Sequence, residues 1–347
     1  MKKLRIGIVG FGKSTGRYHL PYMIAREHLE ISMIYNHKEK VEMTAYCEQH
    51  DLVYTTDLDE LLANTNIDLV SIITPAATHF DITKKALEAG KHVVCEKPFV
   101  QTVKEAQELI DLAKEKGLML MPFQNRRFDG DFLAAKAAID RGVLGRLVEL
   151  ECHFDYFRVS DAVNIGPSIN GSVYGHAIHL IDRAVATFGR PKQVFCDVKN
   201  VRTGKGLDDY HDIHLFYDDG FKVIVRAHYL VAIPFPQFII HGTRGSFIKY
   251  GIDQQETDLK AGMLPTDPGF GADNIKQYAQ MKYLNQNDEW IERELPTPQG
   301  DYGRLYDAAY ASIINGASKL ISDDEIMTVM EILEGCFTQE GPHVFSL

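Results

Sequence analysis

Three stretches of the 347-residue chain carry residue types at spacings that can do chemistry. The first is Gly10-Phe11-Gly12-Lys13-Ser14-Thr15-Gly16. Read from Gly7, it satisfies GxxxxGK[ST], a loop that wraps a triphosphate with backbone N–H groups. Read from Gly10, it nearly satisfies GxGxxG, a loop that admits the pyrophosphate of a dinucleotide. The register favours the dinucleotide. Leu4–Val9 reads as an apolar strand, so Gly7, Ile8 and Val9 belong to that strand and not to a phosphate loop. A triphosphate site also needs an apolar strand ending in an aspartate for magnesium. The best candidate, 215–218, is better explained by a hairpin turn. With the strand ending at Val9, Gly10 permits a tight turn and Gly12 lets backbone approach the pyrophosphate. A helix from about Thr15 then turns its positive end toward the phosphates. Gly16 is expected to allow close helix–strand packing. The spacing is one residue longer than the pattern, which lets Lys13 and Ser14 point at phosphate. The next strand ends in Asn36-His37-Lys38, where an NAD site usually places Asp or Glu. Neutral Asn36 and cationic Lys38 tolerate a 2′-phosphate, so NADP(H) is expected over NAD(H). The competing reading of Lys38 is a solvated lysine at a helix start.

The second stretch is Glu96-Lys97-Pro98, directly after an apolar strand. Parallel sheets hold ligands at the carboxyl ends of their strands. Pro98 biases Lys97 away from helical geometry and so helps present its side chain. An ammonium there can polarise a carbonyl or hold a hydroxyl while hydride moves. A lone lysine after a strand is ordinarily a solvated charge; Glu96 and Pro98 beside it favour function. The third stretch is Tyr174-Gly175-His176-Ala-Ile-His179-Leu-Ile-Asp182, which reads as helical. Positions 175 and 179 then lie one turn apart on one face. His176, His179 and Asp182 also have a spacing that can bind a metal. No cysteine or further carboxylate lies near in sequence, so a pocket or packing histidine pair is favoured and no metal is expected. His211 and His214 fall on opposite faces of a strand and cannot be a local ligand pair. Tyr156 and Arg158 flank Phe157 on a strand and share a face. Arg158 can hold a carboxylate or a run of hydroxyls, or else pair with a surface acid.

The elements that must position these residues change character along the chain. Up to residue 122, strand and helix signals alternate. Strands are expected at 4–9, 31–35, 52–54, 68–73, 92–95 and 118–121. Helices are expected at 15–28, 41–49, 58–63, 80–89 and 103–116, the last two stopped by Gly90 and Gly117. This rhythm predicts a doubly wound parallel sheet, a dinucleotide-binding Rossmann domain over 1–122. After Pro122 one helix, 132–141, precedes a run of strands at 146–157, 193–202, 210–217, 221–231, 237–241 and 246–250. Asp218-Asp219-Gly220 is a hairpin turn and Gly242-Thr-Arg-Gly245 another tight turn. Phe221, Val223, Val225, Ala227, Tyr229 and Val231 share one face, as in an antiparallel sheet with one side covered. The polar stretch 251–298 reads as loops and short helices, and helices at 306–315 and 324–333 close the chain. An α+β domain over 123–347, for substrate and oligomerisation, is the expectation.

Bulk composition narrows the partners. The net charge of −11 argues against a nucleic-acid surface, which wants a basic face. No run approaches the roughly 20 apolar residues of a membrane span. Cys47, Cys95, Cys152, Cys196 and Cys336 are odd in number and never in a CxxC, which reads as reduced thiols. No apolar signal region follows Met1-Lys-Lys. A cytoplasmic protein with no nucleic-acid and no membrane partner is expected.

With Thr74-Pro75-Ala-Ala-Thr-His79, Glu96-Lys97-Pro98 and Asn125-Arg126-Arg127 in place, the chain resembles the Gfo/Idh/MocA family of NAD(P)-dependent oxidoreductases. Its inositol-dehydrogenase-like branch is the most similar. The resemblance spans nearly the whole chain, including 153–158, 174–182 and 245–253. It implies that Thr74, Pro75, His79, Asn125 and Arg126 join Gly10, Gly12, Lys13, Ser14, Asn36, His37, Glu96 and Lys97 around the cofactor. Glu96 would orient the cofactor end instead of acting as a base. It implies that Tyr156, Arg158, Tyr174 and His176 line the substrate pocket. It also implies that His179 is a general acid/base and Lys97 its catalytic partner. In the family pattern an Asp stands where this chain has Gly175. His179 then needs another partner or a water relay, with Tyr174, His176 and Asp182 as candidates. The implied function is NAD(P)-dependent hydride transfer between nicotinamide and a secondary alcohol or ketone of a cyclic polyol or sugar. The open sheet implies a homodimer or homotetramer. Two alternatives stand beside this reading. One is an NAD(P)-sensing binding or regulatory protein without turnover; the other uses transient hydride transfer for a different end, such as glycoside cleavage or bile-pigment reduction.

Overall fold

The computed structural model describes residues 2–347. It divides into two compact units. The first comprises residues 1–125 together with 259–268 and 301–326; the second comprises 126–258, 269–300 and 327–347.

The first unit is built on six parallel strands: β1 (Leu4–Val9), β2 (Leu29–Tyr35), β3 (Val53–Thr55), β4 (Leu69–Ile72), β5 (His92–Cys95) and β6 (Leu120–Pro122). Their order is β3-β2-β1-β4-β5-β6. In this doubly wound arrangement the chain reverses direction between β1 and β4, and ligands bind beyond the carboxyl ends of the strands there. β1 and β4 are central, and Leu4, Ile6, Ile8, Val9 and all of Leu69–Ile72 are buried. The first helix stops at Ile24, short of the expected 28, but the helix before β6 has the ends its sequence indicates. Thr102 and Glu105 form a capping box at the start of Val103–Lys116, and Gly117 ends it at φ 65°.

Residues 301–326 pack on this unit although they follow the second unit's strands in sequence, and a linear division at 122/123 misses them. Helix Arg304–Asn315 buries Leu305, Tyr306 and Ala309. Arg26 fastens it from the other side, donating to Asp301 at 2.7 Å and to Asp307 at 2.7 and 3.0 Å.

The second unit holds β7 (Leu147–His153), β8 (Gln193–Lys199), β9 (Tyr210–Phe216), β10 (Lys222–His228), β11 (Phe238–Gly242), β12 (Gly245–Lys249), β13 (Ala279–Leu284), β14 (Trp290–Leu295) and β15 (His343–Ser346). These form one sheet in the order β14-β13-β12-β11-β7-β10-β9-β8-β15, antiparallel throughout except between β7 and β10. The β9–β10 turn has Asp219 at φ 58° and Gly220 at φ 73°, the left-handed geometry a tight hairpin demands. Along β9, His211, Ile213 and Leu215 are buried while His214 lies on the other face, bonded to Asp212 at 2.9 Å. Of the loops and short helices expected over 251–298, the helix Gln254–Ala261 is present, but the hairpin β13–β14 is not among the expected elements, nor is the edge strand β15 after the last helix. β13 alternates buried Ala279 and Met281 with exposed Gln280 and Lys282, and β14 is largely exposed. Strands with so much polar surface carry little apolar signal.

Candidate functional site

The glycine loop is the turn out of β1. Gly10 has φ 106°, and a Cβ on it would stand 2.4 Å from the carbonyl oxygen of Ile73, so only glycine fits. Gly12 is exposed, and a Cβ there would meet nothing within 4 Å. That leaves backbone a ligand can approach. Gly16 also faces open space, which overturns the close packing expected of it. The tight contact is made instead by Gly7 inside β1, whose Cβ would stand 3.0 Å from Ile67 and 3.1 Å from Leu61. Gly7 in the strand also excludes the triphosphate reading. The loop is held from within. Thr15 Oγ1 donates to Gly10 O at 2.8 Å and accepts from Gly12 N at 3.3 Å. Phe11 N donates to Asn36 Oδ1 at 3.2 Å, and Lys40 Nζ donates to Phe11 O at 2.6 Å. Asn36 also donates to Lys38 O at 2.6 Å. Its buried amide therefore builds the loop, while His37, Lys38 and Lys13 are exposed beside it. Helical turns begin at Thr15 as a π-turn and continue through Leu20–Ile24.

Glu96 ties this loop to the end of β5. Its Oε1 accepts from Ser14 Oγ at 2.7 Å and contacts His19 Nε2 at 2.9 Å, while Oε2 accepts from Lys97 N at 2.9 Å. His19 Nδ1 lies 2.6 Å from Tyr306 Oη, which lies 2.8 Å from Ser71 Oγ on β4. A continuous polar chain thus runs Ser71, Tyr306, His19, Glu96, Ser14. Burial alone would raise the Glu96 carboxyl, but hydrogen bonds from His19 and Ser14 and the positive Lys97 overcome it and hold it at about 2. Glu96 is a fixed carboxylate, and it acts on the loop. His19, Ser71 and Tyr306 went unseen in the sequence. His19 lies seven residues past Gly12 with no pattern to mark it, and Tyr306 arrives from more than two hundred residues away.

Thr74 and Pro75 follow β4, and Thr78 Oγ1 donates to Thr74 Oγ1 at 2.7 Å. His79 is buried. Its Nδ1 stands 2.7 Å from Pro98 O and its Nε2 2.9 Å from Thr74 O. Satisfying two carbonyls needs two N–H donors, an imidazolium. Burial works against that charge, but the Cys95 sulfur and the two carbonyls prevail and push the ring up to about 9. His79 is thus a clasp between the loop after β4 and the segment after Lys97. Its nitrogens are turned to carbonyls, not to a ligand. Asn125 is buried at the end of the unit, beyond β6. Gly10–Ser14, Asn36, Thr74–Pro75 and Glu96–Lys97 all stand past the carboxyl ends of β1, β2, β4 and β5. With the Gly10 cradle and the open face of Gly12, they fit a dinucleotide.

In the second unit a π-turn, Val173–Ala177, leads into the helix Ile178–Phe188. π-Turns recur at functional sites. Asp208 Oδ2 accepts from Val173 N at 2.7 Å and anchors its start. His176 Nδ1 lies 3.0 Å from Tyr229 Oη, and its ring lies 5.2 Å from that of Tyr156. His179 is buried, with its ring edge-on to Phe154 at 6.2 Å; His176 meets the same phenyl at 6.2 Å. Asp182 turns both carboxylate oxygens to Arg127, at 2.7 and 2.8 Å, in a buried bidentate pair. That commitment removes Asp182 from any His176–His179 metal set. Among the described residues, no group of three His, Cys, Asp or Glu is arranged to hold a metal ion. Tyr174 is buried and stacked on Phe337 at 5.9 Å. Arg126 donates to Asp129 and Glu256, each at 3.0 Å, and lies over Phe154. Arg158 stands with its guanidinium carbon 3.9 Å from the centre of the Tyr156 ring. A Cβ on Gly175 would meet nothing within 4 Å. Tyr229, expected inside a strand 221–231 and assigned no role, follows the end of β10 and meets His176 here.

A parallel sheet of order 3-2-1-4-5-6 with a glycine turn after its first strand is the architecture of a dinucleotide-binding fold. Comparison with known proteins makes this specific. Residues 4–124 match the NAD-binding Rossmann-fold model of the GFO_IDH_MocA oxidoreductase family, and residues 136–341 match that family's C-terminal alpha/beta domain. The chain belongs to the Gfo/Idh/MocA family of oxidoreductases. A crystal structure of an oxidoreductase from Bacillus cereus is 48% identical, with TM-score 0.97 over 99% of each chain. Uncharacterized oxidoreductase YhhX of Escherichia coli K12 is 44% identical over 99% of both chains. The scyllo-inositol 2-dehydrogenase (NADP(+)) IolW of Bacillus subtilis is 32% identical, covering 95% of this chain and 92% of its own. No helix among the described residues is long and apolar enough to cross a membrane, and the five cysteines are free.

Proposed function

We propose that this oxidoreductase is an NADP(H)-preferring dehydrogenase/reductase that interconverts a secondary alcohol of a cyclic polyol or sugar and its ketone. One observation carries the reading. Lys97 is the residue next to Glu96, its N–H is bonded to the Glu96 carboxylate, and that carboxylate also holds Ser14 of the glycine loop. The backbone of the lysine is thereby tied to the loop that fits the pyrophosphate. When bound, the nicotinamide supplies the hydride or accepts it. Lys97 polarises and positions the substrate oxygen, and His179 exchanges the hydroxyl proton. Tyr156, Arg158 and His176 orient the hydroxyls. Neutral Asn36 with exposed Lys38 supports NADP(H), as does the NADP(+) in the name of the relative IolW. That name also supports an inositol-like substrate. We place the protein in the cytoplasm, as a homodimer or homotetramer assembled through the nine-stranded sheet. Light scattering showing a clean monomer at micromolar concentration would contradict the assembly.

The test is a panel of inositols and aldoses with both cofactors, followed by absorbance of reduced nicotinamide. Turnover with NADP favoured is expected; turnover that strongly prefers NAD overturns the cofactor preference. Gly175 favours one second reading, an NAD(P)-sensing protein without chemistry, because the carboxylate that would steady His179 is missing. Tight NADPH binding with no turnover on any polyol would support that reading instead.

A further inference from the structure

Arg158 stands apart from the ion pairs around it. Its guanidinium carbon lies 3.9 Å from the Tyr156 ring centre and 5.5 Å from that of Tyr229, so two aromatic faces hold it in place. The side chain is exposed, and among the described residues no carboxylate is within ion-pairing distance of it. Three of the neighbouring acids are committed elsewhere. Asp155 pairs with His153 at 2.9 Å, Glu256 with Arg126 at 3.0 Å, and Asp209 with Arg202 at 2.6 Å. Burial keeps the Tyr156 and Tyr229 hydroxyls protonated, ready to donate. Tyr229 joins the group to His176, and the residue before His176 is Gly175, beside open space. The corner therefore holds one positive charge in excess, hydrogen-bonding groups suited to hydroxyls, and room where a side chain would stand.

We propose, resting on the polyol reading above, that the substrate is acidic: a sugar acid whose carboxylate is received by Arg158 and whose hydroxyls meet Tyr156, Tyr229 and His176. A planar carboxylate matches the fork of a guanidinium, and an arginine already held on aromatic faces loses little freedom on binding. Glycine at 175 places no negative charge beside the incoming acid. A neutral polyol would make no charge-assisted pair with Arg158.

The test is calorimetry on the full chain loaded with NADP⁺, titrated with D-gluconate, D-galacturonate, myo-inositol and a hexose phosphate, alongside turnover of the same four. One of the two acids binds at least about 10-fold more tightly than myo-inositol, as one charge-assisted pair allows. Arg158→Ala weakens that acid by on the order of 100-fold and myo-inositol by far less, and Arg158→Lys restores part of the loss. Thermal melting shows that both variants are folded. Equal weakening of acid and inositol by Arg158→Ala, or tighter binding of inositol, overturns the proposal. Preferential binding of the hexose phosphate overturns the carboxylate assignment. Arg158-dependent binding of an acid with no cofactor reduction by any compound leaves this site standing and sinks the dehydrogenase reading, so the two failures are distinguishable.

Discussion

The glycine loop and the Arg158 corner are built on opposite plans. Around the loop the polar side chains that are not exposed have partners within the unit: Thr15 on Gly10, Asn36 on Phe11, Ser14 and His19 on Glu96, His79 between two carbonyls. What such a site offers a ligand is backbone, held rigid in advance. At the Arg158 corner the side chains are the offering, and one charge is left without a counterpart. The difference teaches that the first region recognises a constant group, the dinucleotide, through shape. On the proposed function, the second would recognise a variable one, the substrate, through chemistry that can change residue by residue.

The contrast can be broken or sharpened by substitution. The largest effect is expected at Lys97. Lys97→Ala should lower kcat by on the order of 10²–10⁴-fold, the range of a lost acid–base or polarising group, while NADPH affinity changes little. Next is Asp182→Asn, which removes the carboxylate charge from the buried bidentate pair with Arg127. A loss of about 3–5 kcal/mol of stability is expected in denaturant melts. A smaller effect belongs to Ser14→Ala, which removes one hydrogen bond to the Glu96 carboxylate. NADPH should bind roughly 10-fold more weakly, with the fold retained, consistent with a charge-assisted bond of about 1.5 kcal/mol. An unchanged dissociation constant would mean that the loop does not depend on its wiring.

Two pH effects follow from the same region, with opposite signs. Glu96 is lowered from 4.5 to about 2, so its contribution to stability is present above pH 4.5 and is lost as pH falls through about 2. His79 is raised from 6.5 to about 9, so its contribution is complete below pH 6.5 and is lost as pH rises through about 9. Melting temperature against pH should show both limbs, and His79→Gln should flatten the alkaline one. The smallest effect is at Gly175. Its Cβ would meet open space on a helical backbone, so Gly175→Ala should stabilise by about 0.5 kcal/mol. Destabilisation would show that this space is not free.

How much of this was legible beforehand depended on distance along the chain. The strand–glycine–helix order fixes the phosphate loop because all its parts are within sixteen residues. The helix Val103–Lys116 could be read to the residue, since its capping box and terminal Gly117 are local signals. The hairpin β13–β14 was hidden because its strands bury little and alternate charge with a few apolar residues. The polar chain under the loop was hidden for another reason. Tyr306 reaches Ser71 and His19 only because 301–326 packs on the first unit, and no local pattern announces that. In the second unit the helical spacing of 175, 176, 179 and 182 was plain, but the destinations were not. Asp182 goes to Arg127, His176 to Tyr229 and Tyr174 to Phe337, each a choice made by tertiary packing.

The most direct measurement is single-turnover transfer of deuterium from C4-deuterated NADPH to an oxidised polyol or sugar acid, with wild type, Lys97→Ala and His179→Ala compared. Deuterium should appear on the carbinol carbon of the product, and both variants should slow its arrival by at least about 100-fold. Label arriving at the wild-type rate in both variants would contradict the roles assigned to Lys97 and His179.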